Sequence, residues 1–489
     1  MPTMSALRPA ASWLIVVALG AAGCSSSDAC DEGPFGGATC TIGGTIVTGD
    51  ALLFDGEEIV YTAQAQYGLG PGVPISVIWT VSDATVLDVE LRENWTAGVT
   101  AIDTGTSWII ALINDVYSDS ALVTVVLPGA ARWRSTFTGV PAAAYPAIGA
   151  DSIVRVVTGG ATPLLRLFVP ETGVATSVGS CFSAFGPSLG TSDVAFAAGA
   201  QCTRRHAQDG DTVWTAPVGS AALGVAVAAD GGAITLSGDS VYRLSVAGAI
   251  LWAEHLRGTP QTAPVIGPDG DVYVGWNAGG ADSVSRFGID GTPRWSAAVP
   301  GLSTGTPAVG SGRLFFGRPG GLFALESSGT VAWDRAFSDA NPAATATSRT
   351  SSPVHDDLAI FVQNEEALYS YSVGGVFVWS ADSVGYGATT GSVGAPVLLS
   401  DLSFLVPCGS ATGGRDVCAV RQVDGQLSWR SPLGGGSVDG LAVARDGMVY
   451  AIRTLAGGST ELVAMWARVA PSTTGWPGEG GNPQHTRRR

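Results

Sequence analysis

Histidines are the side chains of this chain whose chemistry would best suit a catalytic base or a metal ligand. The four histidines, which show neither the HExxH motif nor a paired ligand spacing, are His206, His255, His355 and His485. His206 follows two arginines on a predicted strand, where we expect a polar surface role. His355 precedes two aspartates at a strand end. This group could be part of a metal site or a solvated turn, and we prefer the turn. The histidines therefore predict neither a catalytic centre nor a metal site.

The carboxylates also give no sign of chemistry. Glu365 and Glu366 are adjacent, but neighbouring residues on a strand point to opposite faces of the sheet, so they would make a poor acid–base pair. The aspartates that precede glycines do not form the Asp-x-Asp-x-Asp-Gly loop of a calcium site, and we expect neither a P-loop nor a GxSxG nucleophile elbow. We expect a protein without catalytic residues, bound cofactor or metal.

Seven cysteines indicate an oxidising compartment, because their spacing suits local disulfides. Apart from Cys24, they fall into three neighbouring pairs, which are Cys30 with Cys40, Cys181 with Cys202, and Cys408 with Cys418. This pairing rests on proximity alone. No CxxC motif occurs, so a zinc or redox site is disfavoured.

Composition favours an all-β protein. Hydrophobic residues make up 46% of the 489 residues, charged residues only 13%, and there are 68 glycines, which suits many short strands joined by turns. The net charge is −16, and all 25 basic residues are arginines. An acidic chain binds nucleic acid poorly, because phosphate neutralisation dominates that affinity. We therefore expect no nucleic-acid partner.

The N-terminal residues have the pattern of a targeting signal. Arg8 precedes the apolar run Trp13–Ala22, which is too short to span a bilayer. The residues that follow resemble a bacterial lipobox, although Ala21 stands where the family usually has Leu. The resemblance implies a signal peptide over residues 1–23, lipidation of Cys24 with a membrane anchor, and, from Ser25, the outer membrane. Residues 24–40 would form a tether; a plain secretory signal is the alternative.

Residues 41–127 carry a different pattern from the rest of the chain. Apolar and polar residues alternate at Ser76–Val81 and Ala121–Val126, as in half-buried strands. Together with Trp79 and the Gly105-Thr106 pair, this segment resembles the bacterial Ig-like domains of intimin and invasin. The resemblance implies a β-sandwich with the Trp buried between two sheets and a role as a spacer or adhesive module.

A repeat of about 40 to 45 residues follows a hinge at residues 128–131. Its clearest copy is Thr262–Trp295, which reads as three short strands joined by turns and a fourth strand centred on Trp. Trp recurs in the same context at Trp133, Trp214, Trp252, Trp295, Trp333, Trp379 and Trp429. The double gap after Trp133 predicts a unit at Gly173–Val178 that has lost its Trp. This period, with four strands per unit, is typical of a β-propeller.

The repeats resemble the PQQ-like repeat family, which includes quinoprotein dehydrogenases and the assembly lipoprotein of the Bam complex. The resemblance spans residues 132–470 and gives eight units. The last unit lacks a Trp strand, and Arg132–Phe137 is an unpaired one, so we expect it to close the ring as the outer strand of the eighth blade. The predicted fold is thus an Ig-like β-sandwich followed by an eight-bladed β-propeller.

We expect the seven Trp side chains to pack between blades rather than to stack on a ligand. Cys408 and Cys418 would staple the hairpin of strands two and three in blade seven, and Cys181 and Cys202 would do the same in blade two. Residues 471–489 resemble a segment found beside such propellers, which implies a strap on a propeller face. A disordered terminus is the alternative.

Taken together, these features predict a non-catalytic lipoprotein of the cell envelope, anchored to the outer membrane, whose propeller binds envelope proteins as a scaffold. Two alternatives stay open. One is a periplasmic quinone-dependent oxidoreductase, although the adjacent cysteine pair of catalytic relatives is missing from the sequence. The other is surface adhesion or glycan binding, which the Ig-like domain favours. The partner and the side of the membrane on which the protein faces are not predicted.

Overall fold

The computed structural model divides the chain into two compact units, Met1–Ala130 and Ala131–Arg489. It describes residues 30–32, 38–40, 42–49, 51–67, 70–72, 76–93, 95–113, 117–137, 145–159, 162–182, 186–200, 202–220, 223–310, 312–382, 394–409, 414–467, 469–482 and 486–487. The predicted signal peptide, Cys24 and His485 lie outside these described residues.

Unit 1 contains two sheets and a short hairpin in its described part. Its strands are β1 Cys30–Glu32, β2 Ala38–Cys40, β3 Ile42–Thr48, β4 Leu52–Phe54, β5 Glu58–Tyr67, β6 Gly70–Gly72, β7 Val77–Val81, β8 Leu87–Leu91, β9 Thr96–Ala101, β10 Gly105–Ile113 and β11 Tyr117–Val126. One sheet has the order β4-β11-β10-β7, and the other has the order β3-β5-β9-β8 with β6 beside β5. β4 pairs with β11 in parallel, and the other pairs are antiparallel.

The core of unit 1 lies between these two sheets. Tyr61 and Leu87 of one sheet pack with Trp79, Ile109 and Val123 of the other. The Trp79 side chain is buried here, as the alternation of its strand predicts, while its neighbours in β7 point outward.

Unit 2 is built from antiparallel sheets, eight of them in its described part; seven have four strands and one has five, and we number them 1 to 8 along the chain. The unit begins with β12, Ala131–Phe137, which belongs to sheet 8. Sheet 1 consists of β13 Ala147–Ile148, β14 Val154–Thr158, β15 Leu164–Phe168 and β16 Ala175–Gly179, and sheet 2 of β17 Ser188–Leu189, β18 Ala195–Gly199, β19 Cys202–His206 and β20 Thr212–Ala216. Sheet 3 consists of β21 Ala226–Val227, β22 Ala233–Ser237, β23 Ser240–Leu244 and β24 Ile250–His255. Sheet 4 consists of β26 Val265–Ile266, β27 Val272–Ala278, β28 Ala281–Phe287 and β29 Pro293–Ala298, with β25 Thr259–Pro260 beside β27.

Sheets 5 to 8 repeat the same order. Sheet 5 consists of β30 Ala308–Gly310, β31 Arg313–Arg318, β32 Gly321–Glu326 and β33 Val331–Ala336, and sheet 6 of β34 Val354–His355, β35 Ala359–Gln363, β36 Leu368–Ser372 and β37 Phe377–Ala381. Sheet 7 consists of β38 Val397–Leu398, β39 Ser403–Gly409, β40 Arg415–Arg421 and β41 Leu427–Ser431. Sheet 8 consists of β42 Ser437–Val443, β43 Met448–Thr454 and β44 Thr460–Trp466, with β12 as its fourth strand. Short 3-10 turns lie at Thr191–Asp193, Phe337–Asp339 and Glu479–Gly481.

The sheets form a closed ring. The first strands of sheets 1 to 3 and of sheets 5 to 8 lie side by side, and β42 of sheet 8 lies next to β13 of sheet 1. Sheet 4 joins its neighbours through the bond from Trp252 to Ile289 and the bridge from Thr262 to Gly305. β12 pairs with β44, which is the pairing that the unpaired Trp strand predicts, so strands from both ends of unit 2 share one sheet. Closure in this way leaves the fourth strands as the outer edges.

Asp-Gly turns set the direction of the strands. Gly231, Gly270 and Gly447 follow Asp230, Asp269 and Asp446 at the first turn of sheets 3, 4 and 8, and each has a positive φ. Each aspartate accepts a hydrogen bond from the backbone N–H two residues on, at 3.0–3.1 Å, which holds the turn. Because strands alternate in direction, the first and third turns of every sheet lie at one end of the ring, which we call the turn end.

Candidate binding surface and the filled ring

The C-terminal tail, described at 471–482 and 486–487, lies against the first strands of the ring. The backbone of Trp476 exchanges two hydrogen bonds with His355 of β34, at 2.7 and 3.1 Å. Further along, the N–H of Val227 donates to Thr486 and the N–H of Ile266 donates to Arg487. The tail therefore crosses from sheet 6 to sheets 3 and 4 along the inside of the ring.

Two large side chains of the tail are fully buried among the sheets. Trp476 belongs to the apolar cluster of sheets 4 to 6. The Arg487 guanidinium donates to the hydroxyl of Ser188, to the carbonyl oxygen of Val225 at 3.0 Å and to the hydroxyl of Thr306 at 3.4 Å. One side chain thus joins sheets 2, 3 and 5.

The interior beside the tail is closely packed. A Cβ on Gly224 would lie 2.3 Å from the guanidinium carbon of Arg487, so a larger residue would collide with it. The nearby cavity, lined by hydroxyl-bearing residues such as Thr262, Thr306 and Ser352, has a volume of about 10 Å³. That is room for about one water molecule.

The Trp residues of the outer strands join each sheet to the next. In six cases the indole N–H donates to a carbonyl oxygen in the third turn of the following sheet, at 2.6–3.1 Å; the pairs are Trp133 with Pro170, Trp214 with Val246, Trp252 with Ile289, Trp295 with Ser327, Trp333 with Val373 and Trp379 with Gln422. These side chains are at least half buried. Each indole packs against the turn of the next sheet, so its ring face is not free to stack on a ligand. They have the packing role that the repeat predicts.

A glycine in each receiving turn makes this contact possible. Gly173, Gly248, Gly291, Gly329, Gly375 and Gly425 all have positive φ, and a Cβ on any of them would come within 2.5–3.0 Å of the neighbouring indole. The outer strand of sheet 1 carries no Trp. Val178 of that strand packs near Gly210, which is the turn glycine of sheet 2. The turn glycine and the Trp of the preceding sheet therefore form one unit.

The cysteines are placed partly as expected. Cys408 on β39 and Cys418 on β40 form a disulfide across the predicted hairpin of sheet 7. Cys181 and Cys202 are also joined, but the prediction that they staple strands two and three is wrong. Cys181 precedes β17, so the bond ties the connection between sheets 1 and 2 to β19. Cys30 and Cys40 lie opposite each other on β1 and β2, and their side chains are outside the described part.

His206 is not the surface residue that its arginine neighbours predict. It is fully buried, its Nδ1 lies 2.8 Å from the carbonyl oxygen of Gly210, and its Nε2 lies 3.1 Å from the hydroxyl of Ser180. Because the carbonyl must accept a proton from Nδ1, Nε2 is left to accept from Ser180. Burial lowers the pKa of the His206 ring. His206 is the last residue of β19 and is buried, whereas Arg204 and Arg205 of the same strand stay partly exposed.

This burial predicts a pH effect on stability. The unfolded His206 ring takes up a proton near pH 6.5, whereas the buried ring does so only at lower pH. The unfolded chain then binds more protons, so stability falls as the pH drops below about 6.5, by at most about 1.4 kcal/mol per pH unit from this group. Urea unfolding from pH 5 to 7 should show that the free energy of unfolding changes less steeply with pH for His206→Gln than for the natural chain. Equal slopes for His206→Gln and the natural chain would contradict the assignment.

The other candidate side chains are held by neighbouring sheets. His355 is buried, with Nε2 donating to the carbonyl oxygen of Val309 at 3.0 Å, so the predicted solvated turn is wrong at this residue. Glu365 and Glu366 lie in the turn after β35 rather than on a strand. Both reach the same segment: Glu365 binds Arg349 at 2.6 Å, and Glu366 accepts from Ser348 at 2.8 Å.

Two GxSxG sequences, at residues 186–190 and 301–305, contradict the expectation that this motif is missing from the chain. Ser188 is fully buried on β17, where its hydroxyl donates to the carbonyl oxygen of Val225 at 2.6 Å and accepts from Arg487. A nucleophile elbow places its serine exposed between a strand and a helix. Ser188 instead holds the tail.

Shifted pKa values arise from packing between sheets. Burial raises the pKa of Asp439, whose carboxylate accepts from Ser437 at 2.8 Å and Thr454 at 2.7 Å, and burial also raises the pKa of Tyr369 to about 12. Among the described residues, no group of three or more His, Cys, Asp or Glu side chains is arranged to hold a metal ion. No helix in the described ranges has the length and apolar character to cross a membrane.

Residues 280–468 match the repeat-family model described as outer membrane protein assembly factor BamB. The predicted resemblance to PQQ-like repeats is confirmed over that segment, which runs from β28 to β44. Among curated proteins, none matches this chain.

Three solved structures are similar at low identity. They are a protein of unknown function from Bacteroides caccae (13% identity, 48% of this chain and 92% of that chain, TM-score 0.33), a chain of the mitotic checkpoint complex (10%, 69% and 95%, 0.42) and the Pan2 WD40 domain of Neurospora crassa (10%, 58% and 90%, 0.40).

Proposed function

We propose that this chain is a non-catalytic, lipid-anchored protein of the outer membrane whose second unit is an eight-bladed β-propeller that binds envelope proteins as a scaffold. Unit 1, with its two facing sheets around Trp79, would be a bacterial Ig-like spacer. Support for the propeller comes from the eight sheets, the neighbouring first strands and the closure of sheet 8 by β12.

The observation that carries this proposal is the filled ring. A small substrate or cofactor bound on the axis would need the space that Trp476 and Arg487 take. The surfaces left to a partner are the turns and connections at the two ends, which are the parts of a rigid fold that most often carry recognition. The family description of residues 280–468 supports a partner in outer-membrane assembly.

Crosslinking in cells tests the scaffold. The tagged full-length chain would be crosslinked in its own host, and its partners would be identified by mass spectrometry. We expect repeated recovery of envelope proteins, with the crosslinked positions in the turns and connections of sheets 1 to 8. Recovery of no protein partner would contradict the scaffold, and a quinone or other cofactor retained by the purified chain would favour an oxidoreductase instead.

A further inference from the structure

Large apolar side chains are concentrated at the turn end of sheets 6 and 7. Leu358, Val423 and Leu402 are 77%, 76% and 70% exposed, and they are joined by Val376 and Phe377. These five residues, which we call the apolar rim, include the most exposed large apolar side chains among the described residues. Exposed apolar groups that lie together mark interaction sites more often than scattered ones do.

Hydrogen bonds hold the turns that carry the rim next to one another. The N–H of Val373 donates to the carbonyl oxygen of Leu358 at 3.0 Å, which joins the first and third turns of sheet 6. The N–H of Gln422 donates to the carbonyl oxygen of Leu402 at 2.9 Å, which does the same in sheet 7. Trp379 then links the two sheets through its bond to Gln422.

Leu402 is an unusual residue for its position. Its turn has the same bonding as the Asp-Gly turns: Asp401 accepts from the N–H of Ser403 at 3.0 Å, and the N–H of Leu399 donates to Ser403 at 2.8 Å. Sheets 3, 4 and 8 have Gly231, Gly270 and Gly447 at the equivalent place. Leu402 adopts φ +63° there, which costs an L-residue about 1–2 kcal/mol. Since its side chain is mostly exposed, packing within the chain does not offset that cost.

The charges around the rim narrow the choice of partner. Asp356, Asp357, Asp401 and Asp424 lie on the same turns. Of the nearby arginines, Arg421 pairs with Asp424, Arg313 pairs with Glu326 and donates to the carbonyl oxygen of Val373, and Arg335 donates to that of Gly375. The five carboxylates outnumber the three guanidiniums. An acidic border on a chain of net charge −16 repels anionic lipid and a second copy of the same surface. It attracts a segment whose apolar residues are flanked by Lys or Arg.

We propose that the apolar rim binds an apolar segment of a partner protein that is flanked by basic residues. The inference rests on the proposed scaffold function and assigns it to sheets 6 and 7. Leu402 would act as the anchor, since an exposed apolar residue in a strained turn is explained by contact with a partner rather than by the stability of the turn.

Site-specific photo-crosslinking tests the assignment. The full-length chain would carry p-benzoylphenylalanine at position 402, at 423, or at 270 in the equivalent turn of sheet 4. We expect protein adducts at 402 and 423 and not at 270, with the crosslinked peptides from one partner segment that is apolar and bordered by Lys or Arg. Adducts to phospholipid, to a second copy of this chain, or equally at 270 would overturn the proposal.

Leu402→Gly separates binding from folding. It should lower adduct formation at position 423 about tenfold, the loss that about 1.4 kcal/mol of contact gives, while Tm stays the same or rises because the turn gains its usual glycine. Leu251→Ser, which removes an exposed apolar side chain from sheet 3, should change neither. If crosslinking of the tagged chain in cells gives protein partners only at the opposite end of the ring, this assignment fails and the scaffold stands, whereas recovery of no protein partner in that experiment would defeat both. A clear fall in Tm would show that Leu402 serves the fold.

Discussion

Replacing Trp476 by Ala is expected to lower the free energy of unfolding by about 3–5 kcal/mol. The indole is almost fully buried among sheets 4 to 6, and the backbone on either side of it is fixed by two hydrogen bonds to His355. Removing the indole leaves a cavity inside the ring of sheets that the surrounding strands can fill only by moving. Equilibrium urea unfolding of the full chain, followed by circular dichroism, measures the loss.

Trp476→Phe is the matched control. Within the described structure, the indole N–H of Trp476 has no hydrogen-bond partner, so Phe gives up no hydrogen bond and keeps much of the apolar surface. We expect a cost of about 1–2 kcal/mol for this variant. If Trp476→Ala were as stable as the natural chain, the tail would not be an integral part of the ring, and the argument from the filled interior would lose its basis.

The tail shows what sequence could and could not predict. Its resemblance to a segment of the repeat family implies a strap on a propeller face, and the structure places it against β34 and β38. The depth of Arg487 was not predictable, because a run of three arginines at the end of a chain ordinarily stays in water. Its burial depends on the hydroxyl of Ser188 and the carbonyl oxygen of Val225, which are far away in sequence and meet only in the closed ring.

Short sequence patterns predicted the structure correctly where a single local interaction determines the conformation of the chain. The spacing of Trp predicted the outer strands, including the strand at Ala175–Gly179 that has no Trp, because each Trp serves the same contact between sheets. Asp-Gly predicted the first turns, because glycine permits the positive φ that those turns need. Both signals act over a few residues and repeat from unit to unit.

The failures have a shared physical cause. His206 and His355 were assigned to water because they stand beside charged residues, and a single sheet would indeed offer a solvent face. In the ring, each sheet is covered on both faces by its neighbours, so a polar residue at the end of a strand can still be buried and must then find partners inside. Cys181 was misplaced for a related reason, since it lies in a connection between sheets rather than in a hairpin.

Gly375→Ala is expected to cost about 3–5 kcal/mol, more than the same change at Gly270. Both glycines have a positive φ near 80°, so both lose about 1–2 kcal/mol from backbone strain. A Cβ at Gly375 would also lie 2.5 Å from the ring of Trp333, whereas a Cβ at Gly270 meets nothing within 4 Å. The ring cannot move aside easily, because it is buried and its N–H is bonded to Val373. Urea unfolding of the two variants measures the difference.

A double-mutant cycle assigns that difference to the contact between sheets 5 and 6. In a Trp333→Ala background the ring that obstructs the new methyl group is gone, so Gly375→Ala should cost no more than Gly270→Ala, about 1–2 kcal/mol. Equal costs for Gly375→Ala with and without Trp333 would mean that the turn alone requires glycine. A cost that disappears with the ring would mean that the Trp of one sheet selects the glycine of the next. The regular spacing of Trp would then be a consequence of packing between neighbouring sheets. Because sheet 1 has no Trp, Gly210 in the next sheet would not need to leave room for an indole.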